Sequence, residues 1–128
     1  GIPRNYVARL NADGSLDTTF VPEIDDAIGF SVRALSLQAD GKILAGGNFP
    51  SPYKGLTRLL SSGELDSSFK SMDGIDGSNA IVYSITQTPD NKAIIAGDFF
   101  SYNGIGRNRI ARIFLEPSLE TDSLALVA

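Results

Sequence analysis

The chain has no histidine, no cysteine and no tryptophan. Without histidine and cysteine, Ser-His-Asp and Cys-His catalytic arrangements cannot be built from these residues, nor can the usual imidazole and thiolate zinc sites. A disulfide scaffold is excluded as well, which leaves the redox compartment open. No apolar run reaches membrane-spanning length, and no stretch has the basic, apolar and small-residue order of a secretion signal. Basic clustering is also missing: 11 Lys and Arg are dispersed among 15 Asp and Glu, for a net charge of −4. Nucleic acid, which selects a clustered basic face, is therefore not an expected partner. Carboxylates are plentiful and two can run glycoside hydrolysis, but most fall at turn positions. Enzyme activity and a cofactor are not expected. The enzymatic alternative is a hydrolase whose active site lies outside this chain.

What the chain does contain is a repeat. Ala8 to Phe20, "ARLNADGSLDTTF", recurs as "TRLLSSGELDSSF" from Thr57 to Phe69. Val32 to Phe49, "VRALSLQADGKILAGGNF", recurs as "VYSITQTPDNKAIIAGDF" from Val82 to Phe99. The offsets are 49 and 50 residues, so the two blocks move together. Self-similarity at such a period marks an array of one supersecondary unit. A third copy starts at "RNRIARI", Arg107 to Ile113, and then decays: Pro117 replaces Gly14 and Gly63, Glu120 replaces Asp17 and Asp66, and Ser123 replaces Phe20 and Phe69. Divergence of that kind is usual in a terminal repeat. "GIPRN" at the start aligns with "GIGRN" at Gly104 to Asn108, so the chain is expected to begin inside a larger array.

Each unit reads as two hairpins. Val32 to Leu37 and Lys42 to Phe49 are short β-branched and aliphatic segments joined across "QADG", with Asp90-Asn91 in the same place one copy later. Asp and Gly together predict a tight turn, since both tolerate positive φ. The other block, Tyr6 to Leu10 and Ser15 to Phe20 around "NADG", has the same design, which makes four strands per unit. Both parities of the strands carry apolar groups: Ile43 and Ala45 lie against Leu44, and Tyr83 and Ile85 against Val82. Both faces therefore need cover, as in small sheets stacked face to face. Gly46, Gly47 and Gly97 leave room for a neighbouring sheet or backbone to approach closely. The fold class expected is all-β: β-propeller-type blades of four-stranded antiparallel sheets, in an incomplete array of about two and a half blades. Residues 1–20 form a half blade, 21–69 a full repeat, and 70–128 a repeat with a divergent C-terminal end.

From Arg4 to Ile113, "RNxxARLNxDGSLDxxF" followed by "VxALxLQxDGKILxGGxF" resembles the delta-60 repeat of large bacterial surface and secreted proteins, which also occurs in phage-encoded ones. The resemblance implies a propeller-like array and brings no catalytic residues. It leads us to expect a structural or interaction scaffold that is extracellular, on a cell surface or in a virion. Further blades of the same polypeptide, or a protein partner, would complete the array. Carbohydrate binding is the alternative function.

Several side chains stand out as site candidates. Arg9 with Asp17, Arg58 with Asp66, and Arg112 with Glu120 recur eight residues apart across a turn. They read as structural ion pairs within a blade, against a ring of arginines facing an anionic ligand. Asn11, Asp13 and Asp17 place oxygens at alternate positions around Gly14 and are weak calcium candidates. The second copy has Leu60 and Ser62 in place of Asn11 and Asp13, and a turn uses the same residues. Phe20, Phe49, Phe69 and Phe99 read as plugs between blades. Tyr53, Phe100 and Tyr102, in the loop that varies between copies, are the candidates for stacking on a glycan or packing against a partner.

Overall fold

The computed structural model describes residues 1–4, 6–24, 31–50, 53–69, 74–77 and 80–116. Among them every regular element is a strand. These are β1 (Ser31–Leu37), β2 (Ile43–Asn48), β3 (Leu56–Leu59), β4 (Ile75–Asp76), β5 (Ile81–Thr88), β6 (Lys92–Asp98), β7 (Ser101–Tyr102), β8 (Ile105–Gly106) and β9 (Ile110–Phe114). Two equivalent antiparallel sheets, ordered β1-β2-β3 and β5-β6-β9, form the blades. A small third sheet, β4-β7-β8, ties the connection between them to a loop.

The turns follow from the sequence. In three copies a β-turn is closed by a glycine, Gly14, Gly41 or Gly63, whose N–H donates to the carbonyl three residues back at 2.9 to 3.0 Å. The glycines have φ of 86°, 88° and 100°, and Asn91 stands in at 60° in the fourth. Each is a three-residue loop with a left-handed last residue. The expectation that Asp also takes positive φ is corrected: Asp13 and Asp40 instead accept the N–H two residues on, Ser15 at 2.9 Å and Lys42 at 3.1 Å. An aspartate suits that local acceptor role.

In the first blade three strands form ladders and the fourth shrinks to a bridge. Leu59 pairs Leu65, and Leu10 pairs Leu16, as isolated bridges. The extended run ends there because Asp66 folds the chain back. Its carboxylate accepts from the Ser68 N–H at 3.0 Å and hydroxyl at 2.6 Å, and its carbonyl takes the Phe69 N–H at 3.1 Å. The C-terminal end after Glu116, including the expected last strand, lies outside the described residues.

The first sheet is covered on both faces. Leu44 and Leu56 join Val82, Ala93, Ile95, Ala111, Ile113 and Leu115 in one core, while Ala45 and Leu59 join Val7, Phe20, Ile24 and Phe49 in another. Alternate residues of β2 and β3 thus serve opposite seams. Both close approaches anticipated at glycines occur. A Cβ on Gly46 would lie 2.6 Å from Val82 Cγ1 of the next sheet, and one on Gly47 or Gly97 would lie 1.9 Å from the carbonyl oxygen of Ser31 or Ile81. The simple parity read for β5 is corrected. A register shift between Val82 and Ser84 makes Tyr83 a bulge residue, and its ring is exposed. The same shift occurs between Val32 and Ala34.

Candidate functional site

Two of the three recurring arginines, Arg9 and Arg58, lie in the seams between successive units. Arg9 Nε donates to Asp17 Oδ2 at 2.8 Å, its guanidinium stacks 4.7 Å from the Phe20 centroid, and Nη1 reaches the Ser61 carbonyl at 2.6 Å. Arg58 repeats the arrangement: Asp66 Oδ2 at 2.7 Å, the Phe69 ring at 4.9 Å, and the Leu115 carbonyl at 2.7 Å. Ser61 stands three residues after Arg58, and Leu115 three after Arg112. Each arginine therefore clasps its own turn with one edge and the equivalent turn of the next unit with the other. The planar fork of guanidinium donors suits this double duty better than an ammonium does.

The two copies differ in burial. The Arg58 side chain is 1% exposed and Asp66 6%, against 38% and 17% for Arg9 and Asp17. Arg58 is satisfied by further acceptors, Gln38 Oε1 at 3.3 Å and Glu116 Oε1 at 2.8 Å. Lys42 Nζ joins the cluster 3.6 Å from Glu116 and 3.9 Å from Asp66. The Asp17 carboxyl is held down at about 2, first by the Thr19 hydroxyl and then by Arg9. Burial pushes Asp66 upward, but bonds from Ser68 and Arg58 outweigh it and leave a net lowering. Arg112 is exposed and bonds no described residue, and Glu120 lies outside the described residues.

The calcium candidates are used locally. Asp13 Oδ1 accepts the Ser15 N–H and hydroxyl, Asp17 Oδ1 accepts the Thr19 N–H at 2.9 Å and hydroxyl at 2.5 Å, and the Asn11 amide donates to Ser15 Oγ at 3.0 Å. Among the described residues no group of three or more acidic, His or Cys side chains is placed to hold a metal ion.

The three loop aromatics part company. Tyr53 packs against the first-seam core and Tyr102 against the second. Burial pushes the Tyr102 hydroxyl up to about 12. Of the three Phe100 alone is exposed, as is Ile105 of β8, which pairs with Tyr102. An open polar cleft lies between the turns of the two blades, lined by Gln38, Asp40, Lys42, Gln87, Asn91 and Glu116. Gln87 bridges the blades by donating to Ser36 Oγ at 2.6 Å and the Leu37 carbonyl at 2.8 Å. Sequence reasoning missed Gln38, Lys42, Gln87 and Glu116, since their contacts span 20 to 74 residues. The signal present was a glutamine just before the turn at Gln38 and again at Gln87.

Residues 1–20, 38–69 and 88–116, together more than half of the chain, match the sequence profile of a family described as a β-propeller domain of unknown function, DUF5122. Comparison with curated proteins and with solved structures gave no match.

Proposed function

The chain belongs to this family of propeller domains, and on that premise we propose that it acts as a non-enzymatic structural or interaction scaffold, one segment of a larger surface, secreted or virion protein. The reading is supported by where the recurring charge goes. Arg9 and Arg58, the groups best suited to an anionic ligand, are spent on carbonyls and carboxylates of neighbouring units. Residues repeated for packing maintain an array, and binding falls to the loops that differ between copies. We take the repeat to be of the delta-60 type, on the residues Arg9, Asp13, Gly14, Leu16, Asp17 and Phe20 and their counterparts.

The loops offer Phe100 and Ile105 as the apolar contact for a protein partner or further blades. The carbohydrate alternative draws less support, because two of its three rings, Tyr53 and Tyr102, face cores and stacking needs a free ring face. In the source cells the scaffold reading expects labelling of the intact protein by a membrane-impermeant amine reagent, or recovery in the particle fraction. It also expects no turnover of glycoside, ester or phosphodiester substrates. Recovery only from the cell interior, or turnover by the purified chain, would refute it; glycan-array binding abolished by Phe100→Ala would replace it with a lectin.

A further inference from the structure

The two ends of the stack expose residues whose counterparts inside it are buried. On β9, Ile110 is 58% exposed and Arg112 is exposed, whereas the same positions of β3, Leu56 and Arg58, are each 1% exposed beneath the following sheet. Phe114, whose ring carries the Lys92 ammonium 5.2 Å from its centroid, and part of Ile94 extend the face. At the other end Leu10 is 62% exposed, while its counterparts Leu59 and Ile113 are 0% and 3% exposed in the two seams. Ala8, the counterpart of buried Ala111, is exposed as well. The Ala12 carbonyl occupies the position of Ser61 and Leu115, the two carbonyls that take an arginine, and no described group donates to it.

From this complementarity we propose that the chain self-associates head to tail. The face of β5-β6-β9 seats residues 8–16 of a second copy, with Arg112 donating to the partner's Ala12 carbonyl and the partner's Leu10 packing on Ile110 and Phe114. The contact continues the seam already formed twice within one molecule: Arg9 to Ser61, then Arg58 to Leu115, then Arg112 to Ala12 of the next chain. Such a contact is heterologous, so repetition gives a ring where the rotation closes and a filament where it does not. The proposal goes beyond the scaffold reading, since it makes a second copy of the chain, and not a further stretch of the same polypeptide, the neighbour at both end faces; it is tested by mass alone, independently of location or turnover.

Sedimentation velocity from micromolar to millimolar protein is expected to show a mass that rises above the 13.6 kDa of one chain. Arg112→Glu and Leu10→Asp, both at exposed positions, should each leave the circular dichroism spectrum unchanged and weaken association about tenfold or more. Each variant spoils one face and keeps the other. Their mixture should therefore form a capped one-to-one dimer that neither forms alone. A monomer at every concentration, including one whose residues 117–128 cover the β9 face, overturns the proposal, as does association that both variants leave intact or a mixture that yields no dimer.

Discussion

Replacing Arg58 with alanine measures what the buried clasp is worth. Its guanidinium is 1% exposed and is bonded to Asp66, Gln38, Glu116 and the Leu115 carbonyl. Removing one partner of a buried ion pair strands the other charge at about 3–5 kcal/mol. Losing the cation over the Phe69 ring adds about 1 kcal/mol. Water entering the vacated space rehydrates part of Asp66, so about 4 kcal/mol is a fair net cost, a large share of the about 5–15 kcal/mol typical of a domain. With a urea slope of about 2 kcal/mol per molar, the unfolding midpoint should drop by about 2 M at unchanged slope. Far-UV circular dichroism reads it, and tyrosine emission gives a second probe free of tryptophan. Arg9→Ala is the control: it removes the bonds the two copies share, to the aspartate and to the next unit's carbonyl, from a half-exposed site, and should shift the midpoint by a small fraction of that amount. In Arg58→Ala/Asp66→Ala the stranded charge is gone, so the double variant should cost clearly less than the sum of the singles. Equal shifts for Arg58→Ala and Arg9→Ala, or additivity in the double variant, would refute the claim that burial sets the strength of the clasp.

Three other outcomes follow from local geometry. Gly97→Ala puts a Cβ 1.9 Å from the Ile81 carbonyl oxygen, so thermal unfolding should show a loss of about 2 kcal/mol or more; Gly106→Ala, with nothing within 4 Å, should be near neutral. Asp17 titrates at about 2 against an ordinary 3.8, so its stabilisation is present above 3.8 and lost as the pH falls towards 2. In Asp17→Asn the midpoint should fall less steeply across that window than in the parent, and identical pH profiles would sink the assignment. Asn91 holds φ of 60°, so Asn91→Ala should cost about 1 kcal/mol while Asn91→Gly costs less, a ranking that urea melts can reverse.

The parts of this architecture that depend on near neighbours were legible in the residues. Gly14, Gly41 and Gly63 announced their turns, and Arg9 with Asp17 announced a pair, because each of those contacts closes within a few residues. The bulges at Arg33 and Tyr83 were hidden, since a register shift arises from how β1 and β5 meet β2 and β6 and has no residue signature of its own. The different fates of Arg9 and Arg58 were hidden for a stronger reason. Their local sequences are nearly the same, and the further acceptors that set Arg58 apart, Gln38 and Glu116, lie 20 residues upstream and 58 downstream. The loop aromatics looked available because loops face water, yet Tyr102 pairs Ile75 across β4-β7 and turns into the second core.

The arginine in the seam raises the question of why a charge is buried where leucine would pack. Buried ion pairs often stabilise less than apolar residues of the same volume, so stability alone does not account for Arg58. The apolar seam formed by Leu44, Leu56, Val82 and Ile95 is non-directional, and one stacking offset buries nearly as much surface as another. Arg58 removes that freedom. Its Nε is fixed by Asp66 of its own turn, so Nη1 meets the Leu115 carbonyl only when the next sheet sits at one height and one rotation. A slip by one residue would leave a guanidinium buried and half satisfied, which costs far more than any apolar surface it recovers. The same geometry at Arg9 and Ser61 gives the same offset between the preceding pair of units. A charge repeated once per unit thus turns a sticky stack of sheets into an array with a single pitch, and regular pitch is what blades arranged around an axis require.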